Sequence, residues 1–166
     1  MSDKFKQFFV DLKDAEVWDI YALSINELTK RSLIRTRNIV GERGEFLAIE
    51  AYNNTPNLPG LQAAPEGTQN VDAISRKGER YSIKTITEPG KTTGVFYGFG
   101  NLEDKSVSNQ KFEFVIIVVI GKDLQLKNMY EITWKQFLEH RRWHSTMRAW
   151  NLSLSKKLIA EINCII

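Results

Sequence analysis

Apolar residues recur at helical spacing through the first third of the chain and change to strand alternation after it. Phe5, Phe8, Phe9 and Leu12 follow one another at intervals of three, one and three, an apolar helix stripe. Val17, Ile20, Tyr21, Leu23, Ile25 and Leu28 continue the pattern, so residues 1–37 are expected to be helical. A further helix is expected over residues 39–53, IVGERGEFLAIEAYN. Its apolar side is Val40, Phe46, Leu47, Ile49 and Ala51, and its carboxylates are Glu42, Glu45 and Glu50. Glu42 and Glu45, three apart, are neighbours on one face. Pro56, Pro59, Gly60, Pro65 and Gly67 then break regular structure, so residues 54–69 read as loop.

Residues 70–87, NVDAISRKGERYSIKTIT, read as two strands and a tight turn. Tyr81, Ile83 and Thr85 alternate with Ser82, Lys84 and Ile86, a strand with two different faces. A three-residue hairpin loop commonly ends on a left-handed glycine. Gly78 in that place makes the loop Arg76-Lys77-Gly78. Ser75 then faces Glu79, Ala73 faces Tyr81, Asp72 faces Ser82 and Val71 faces Ile83. One sheet face carries Val71, Ala73, Tyr81 and Ile83. The other carries Asp72, Ser82 and, diagonally, Lys84. A two-residue Lys77-Gly78 loop would pair Asp72 with Ile83 and split the polar set, so turn chemistry and face segregation agree on the first register.

Beyond the hairpin, residues 88–110 are glycine-rich and polar, with Phe96, Tyr97 and Phe99 interleaved. No Gly-Lys-Ser/Thr follows, so VFYGFG is not a P-loop; a strand with a mobile loop is expected. FEFVIIVVI, residues 112–120, reads as a buried central strand. Residues 124–132 return as a strand, and Thr133 caps a helix through Glu139. His140 and His144 stand four apart with no third ligand nearby. A closing helix follows, with Lys156 and Lys157 exposed.

Composition narrows the picture. At 166 residues one domain, 1–166, is expected. One cysteine, Cys164, excludes an internal disulfide and a Cys-based zinc site. With two histidines in the chain, any metal would be held through oxygen. The net charge of +3 permits nucleic acid without requiring it. Residues 1–13 are polar with no continuous apolar core, so no signal peptide is expected. The apolar run 114–120 is too short to span a membrane. A cytoplasmic protein with no membrane partner is the expectation.

Asp72, followed ten and twelve residues later by Ser82 and Lys84 on the adjacent strand, carries a family resemblance. The pattern resembles the restriction-endonuclease-like PD-(D/E)XK superfamily: an Asp, a spacer, then an acidic residue, any residue and Lys on two adjacent strands. The hairpin context and the preceding Glu-bearing helix, GERGEFLAIEAYN, are similar to the small type II restriction endonucleases. The likeness covers roughly residues 39–139. Val71 stands where a Pro is usual, and Ser82 stands where Glu, Asp or Gln is usual.

The resemblance implies an α/β fold, a central mixed β-sheet flanked by α-helices, and Mg²⁺-dependent hydrolysis of double-stranded DNA by a homodimer. It casts residues 1–37 as a candidate dimerisation region. Asp72 would ligate the metal, helped by the main-chain carbonyl near Ile83 and by Glu45, with Glu42, Glu66, Glu103 and Asp104 as the other acids in place of the one Ser82 lacks. Lys84 would position or activate the attacking water, and Ser82 would hold a metal-bound water. Removing the Asp72 carboxylate is expected to stop cleavage without touching the fold. Lys91, Thr92, Thr93, Lys105 and Asn109 are the expected DNA contacts, closer to the reacting phosphate than Lys156 and Lys157. Arg31, Arg35, Arg37 and residues 141–148 are further basic clusters. Two rival readings stand beside this one: a nuclease fold that binds DNA without cleaving it, with Ser82 as the mark of the loss, and a partner-binding domain using the N-terminal helices and exposed aromatics.

Overall fold

The computed structural model describes residues 3–36, 38–103 and 109–166. Arg37, Asp104 and Lys105 lie outside the described residues. The chain divides into two compact units, Met1–Glu42 and Arg43–Ile166.

The first unit is helical, as the apolar spacing predicts. Helix α1 spans Asp3–Val10 and α2 spans Asp14–Lys30. The Lys13 N–H donates to Glu16 Oε2 at 2.7 Å, satisfying one of the donors that a helix start leaves over. No residue of α2 is buried, and Phe5, Phe8, Trp18, Tyr21 and Leu23 are exposed. Helix α3, Ile39–Asn54, begins in this unit and continues into the second.

The second unit is built on a six-stranded sheet of order β1-β2-β3-β4-β5-β8. Its strands are β1 (Leu61–Ala63), β2 (Ala73–Ser75), β3 (Arg80–Thr87), β4 (Phe114–Ile120), β5 (Leu126–Thr133) and β8 (Asn163–Cys164). β3 and β4 run parallel and the other pairs antiparallel, so the sheet is mixed. β1 falls in a segment whose prolines predict only loop; it pairs with β2 through Leu61↔Ser75 to Ala63↔Ala73. β4 is covered on both faces, and its uninterrupted apolar run is the sequence of such a strand.

The two sheet faces have separate cores. Leu47, Ala48 and Tyr52 of α3 pack with Tyr81, Ile83, Ile116 and Val118 on one face. A Cβ on Gly44 would fall inside the Thr85 side chain, so only glycine allows α3 this close to β3. On the other face Ile86, Val115, Ile117 and Val119 meet Phe96, Phe99, Phe112, Phe137, Trp150 and Leu158. Phe137 belongs to α4 (Trp134–His140), which Thr133 caps as expected, its hydroxyl accepting from the Gln136 N–H. Leu158 belongs to α5 (Lys156–Glu161). Trp150 belongs to a two-stranded ribbon of β6 (Arg142–His144) and β7 (Ala149–Asn151) that the sequence pattern does not announce. The segment 91–100 is not a free loop. Phe96 and Phe99 are core residues, and Thr92 and Phe96 form single antiparallel bridges to Ser153 and Trp150.

Candidate active site

The β2–β3 hairpin adopts the register that its turn predicts. Gly78 has φ +85°, Ala73 pairs with Tyr81, and the Ser75 N–H donates to the Glu79 carbonyl. The ladder stops sooner than expected. Asp72 does not continue as Ser82's partner; its N–H donates to the Tyr81 carbonyl at 2.8 Å. Its carboxylate Oδ2 accepts the Ile83 N–H at 2.6 Å. A side chain thus takes the place of the next backbone acceptor and ends the strand pairing. From Ser82 onward this edge of β3 has no strand beside it.

The same oxygen gathers the other two residues of the pattern. Ser82 Oγ donates to Asp72 Oδ2 at 3.2 Å, and Lys84 Nζ lies 3.9 Å from it. The Asp72 and Lys84 side chains are 25% and 26% exposed, so the pair is reachable from solvent without being loose in it. Ser82 is 1% exposed and its hydroxyl is occupied. In this structure it orients the carboxylate and has no proton to spare for a water. In an extended strand the N–H and C=O of one residue leave on the same side. The Ile83 carbonyl therefore leaves from the same open edge as the N–H that Asp72 accepts.

A residue that the sequence did not single out completes the site. The Lys84 ammonium lies 5.2 Å from the centre of the Phe96 ring, a cation–π contact. Phe96 and Lys84 are twelve residues apart, and the aromatic run VFYGFG is the only sequence signal for it.

Glu45 sits half-buried on α3, whose apolar side covers the face of β3 opposite to Ser82 and Lys84. Glu42, the alternative acid, is buried in the first unit, 3.8 Å from Arg35 Nε. Glu66 and Glu103 are exposed. Among the described residues, one group of three His, Cys, Asp or Glu side chains brings its ligand atoms within 4.8 Å of one another: Glu139, His140 and Glu161. None of the expected metal ligands belongs to it. His140 ends α4 and His144 lies in β6, so the two histidines do not share a helix face. His140 Nε2 instead meets Glu161 Oε2 at 2.7 Å, joining the ends of α4 and α5.

The expected DNA contacts separate. Lys91, Thr92 and Asn109 are exposed. Thr93 is buried, its hydroxyl donating to the Gly94 carbonyl and accepting the Leu152 N–H, so it fastens the segment to the chain after β7. At the start of β3 and β4, Arg80 and Glu113 form a two-pronged pair, with Arg80 Nη2 2.7 Å from Glu113 Oε1. These hydrogen bonds hold the Glu113 carboxyl below its ordinary range and raise Arg80. On the α3 side, burial pushes the Tyr52 and Tyr81 hydroxyls upward, and Tyr52 donates to Glu131 at 2.7 Å. Compared with protein-family models and with curated proteins, the sequence matches neither. No described helix is long and apolar enough to cross a membrane.

Proposed function

We propose that this chain is a Mg²⁺-dependent endonuclease of the PD-(D/E)XK kind that hydrolyses phosphodiester bonds in double-stranded DNA. The observation that carries the reading is the meeting of Asp72 and Lys84 on the open edge of β3, 3.9 Å apart and each about a quarter exposed. A lysine beside a carboxylate on an exposed strand edge suits an anionic substrate held against a cation.

The donor set fits the ion. Mg²⁺ takes oxygen ligands, keeps several waters and is usually held by one or two carboxylates. Asp72 would hold it with the Ile83 carbonyl, and waters would fill the other positions, because Glu45 lies on the helix that covers the opposite face of β3. When bound, the ion neutralises charge on the phosphate and lowers the pKa of a water. Lys84 orients the attacking water or a non-bridging phosphate oxygen, and Phe96 holds the ammonium in place. Ser82 fixes the carboxylate that the ion would use. The exposed apolar side chains of α1 and α2 are the surface that a homodimer would use.

Ser82 also favours a second reading, a nuclease fold that binds DNA without cutting it. Its hydroxyl stands where a further carboxylate is usual, leaving Asp72 as the one acid among positions 72, 82 and 84. Long duplex DNA of mixed sequence separates the two readings. Fragments that appear with Mg²⁺ and vanish with chelator are expected. Salt-sensitive binding with no cutting at any Mg²⁺ concentration would replace the enzyme by the binding module.

A further inference from the structure

We infer that a second cleft, formed by Lys91 and the chain just before α5, binds a phosphate group. It has a volume of about 580 Å³, within the usual range for ligand sites. Lys91 and Lys156, 65 residues apart in sequence, both line it. Sequence order separates Lys156 from the site; the fold unites it with Lys91. The Leu154 N–H donates to the Lys91 carbonyl at 2.8 Å, and Thr92 bridges to Ser153. Those bonds fix the first lysine beside the start of α5, where the second sits.

The lining is rich in groups without partners. Neither lysine makes an ion pair among the described residues. Asn128, Tyr130 and Ser153 also line the cleft, and their side chains form no hydrogen bond among the described residues. Two ammonium groups, an amide, a phenol and a serine hydroxyl are the donors that phosphate oxygens accept from. Glu88 is the one carboxylate in the lining, and it opposes an anion.

The position gives the cleft a use. Val119, on its wall, is the β4 partner of Ile86, and Ile86 follows Lys84 on the same sheet face. Two residues along a strand are about 7 Å and one strand across is about 5 Å, so the Val119 wall of the cleft lies one diagonal step across the sheet from Lys84. If DNA lies across Lys84 as proposed above, a neighbouring phosphate of the same strand reaches the cleft. Phosphate binding itself does not depend on cleavage and is measured without Mg²⁺.

Lys156 and Lys157 provide an internal control. They are adjacent, equally charged and both exposed, yet only Lys156 lines the cleft. The full chain is titrated at low salt with inorganic phosphate and, separately, with an oligothymidylate lacking terminal phosphates, and binding is read from backbone amide shifts. Lys156→Gln and Lys91→Gln are each expected to weaken binding about tenfold, the size of one charge-assisted hydrogen bond. Lys157→Gln should change it less than about twofold, and Glu88→Gln should tighten it. Tighter binding of the oligonucleotide assigns the cleft to the nucleic-acid backbone; tighter binding of inorganic phosphate assigns it to a free or terminal phosphate. Equal losses for Lys156→Gln and Lys157→Gln, or no binding of either probe, overturn the proposal. Absence of cutting with Mg²⁺ removes the nuclease reading and leaves this one standing.

Discussion

Asp72→Asn is expected to abolish Mg²⁺-dependent cleavage, by about 10³-fold or more, while leaving the protein folded. The magnitude follows from the several kcal/mol of charge stabilisation that a bound ion supplies, at about 1.4 kcal/mol per tenfold in rate. The amide still offers an oxygen to the Ile83 N–H and the Ser82 hydroxyl, the two hydrogen bonds that Asp72 Oδ2 accepts. It loses the charge that would hold Mg²⁺ and that faces Lys84. Asp72→Ala is a poorer test than the sequence leads one to expect. It strands the Ile83 N–H and a buried Ser82 hydroxyl, which costs about 1–3 kcal/mol of stability. Thermal melts of both variants beside a single-turnover cleavage assay separate the two effects. Wild-type cutting by Asp72→Asn would remove Asp72 from the chemistry.

Phe96→Ala is expected to cost about 3–5 kcal/mol of stability, read from denaturant unfolding. Phe96 is buried, with its ring centre 4.8 Å from Phe137 and 6.1 Å from Phe112, and the cavity would open in the middle of an aromatic cluster. A loss of that size is a large part of a domain's stability. Phe96→Leu keeps most of the volume and should cost about 1 kcal/mol. It removes the ring beneath Lys84. Cleavage by the leucine variant should therefore fall more than its stability does, with DNA binding unchanged. Unaltered cleavage by a folded Phe96→Leu protein would make Phe96 a core residue with no part in holding Lys84.

What the sequence makes legible here is local. The register of the β2–β3 hairpin follows from where Gly78 can sit, because a left-handed residue is required there and glycine supplies it. The α3 helix, the buried β4 strand and the Thr133 cap follow from periodicity and side-chain chemistry within a few residues. The features that stay hidden depend on distant partners. β1 exists because β2 offers it an edge, although its own segment is full of prolines. Phe96 reaches Lys84 only because residues 91–96 are pinned to 150–154. The cleft joins Lys91 to Lys156 for the same reason. The helix bearing Glu45 is plain in the sequence, but the face of β3 it covers is set by Gly44 against Thr85 and by the apolar row behind them. Asp72 was visible as a candidate ligand; its role as the acceptor that ends the strand ladder was not, since that needs the backbone in place.

Lys84 gives the most direct measurement, because it would act on the substrate without holding the ion. Single-turnover cleavage of long duplex DNA by Lys84→Met is compared with wild type at saturating Mg²⁺. Folding is checked by melting and DNA binding by a metal-free titration. A folded variant that still binds DNA and no longer cuts it is expected. Cutting by Lys84→Met at the wild-type rate would contradict the proposed role of Lys84 and Asp72 as an active site.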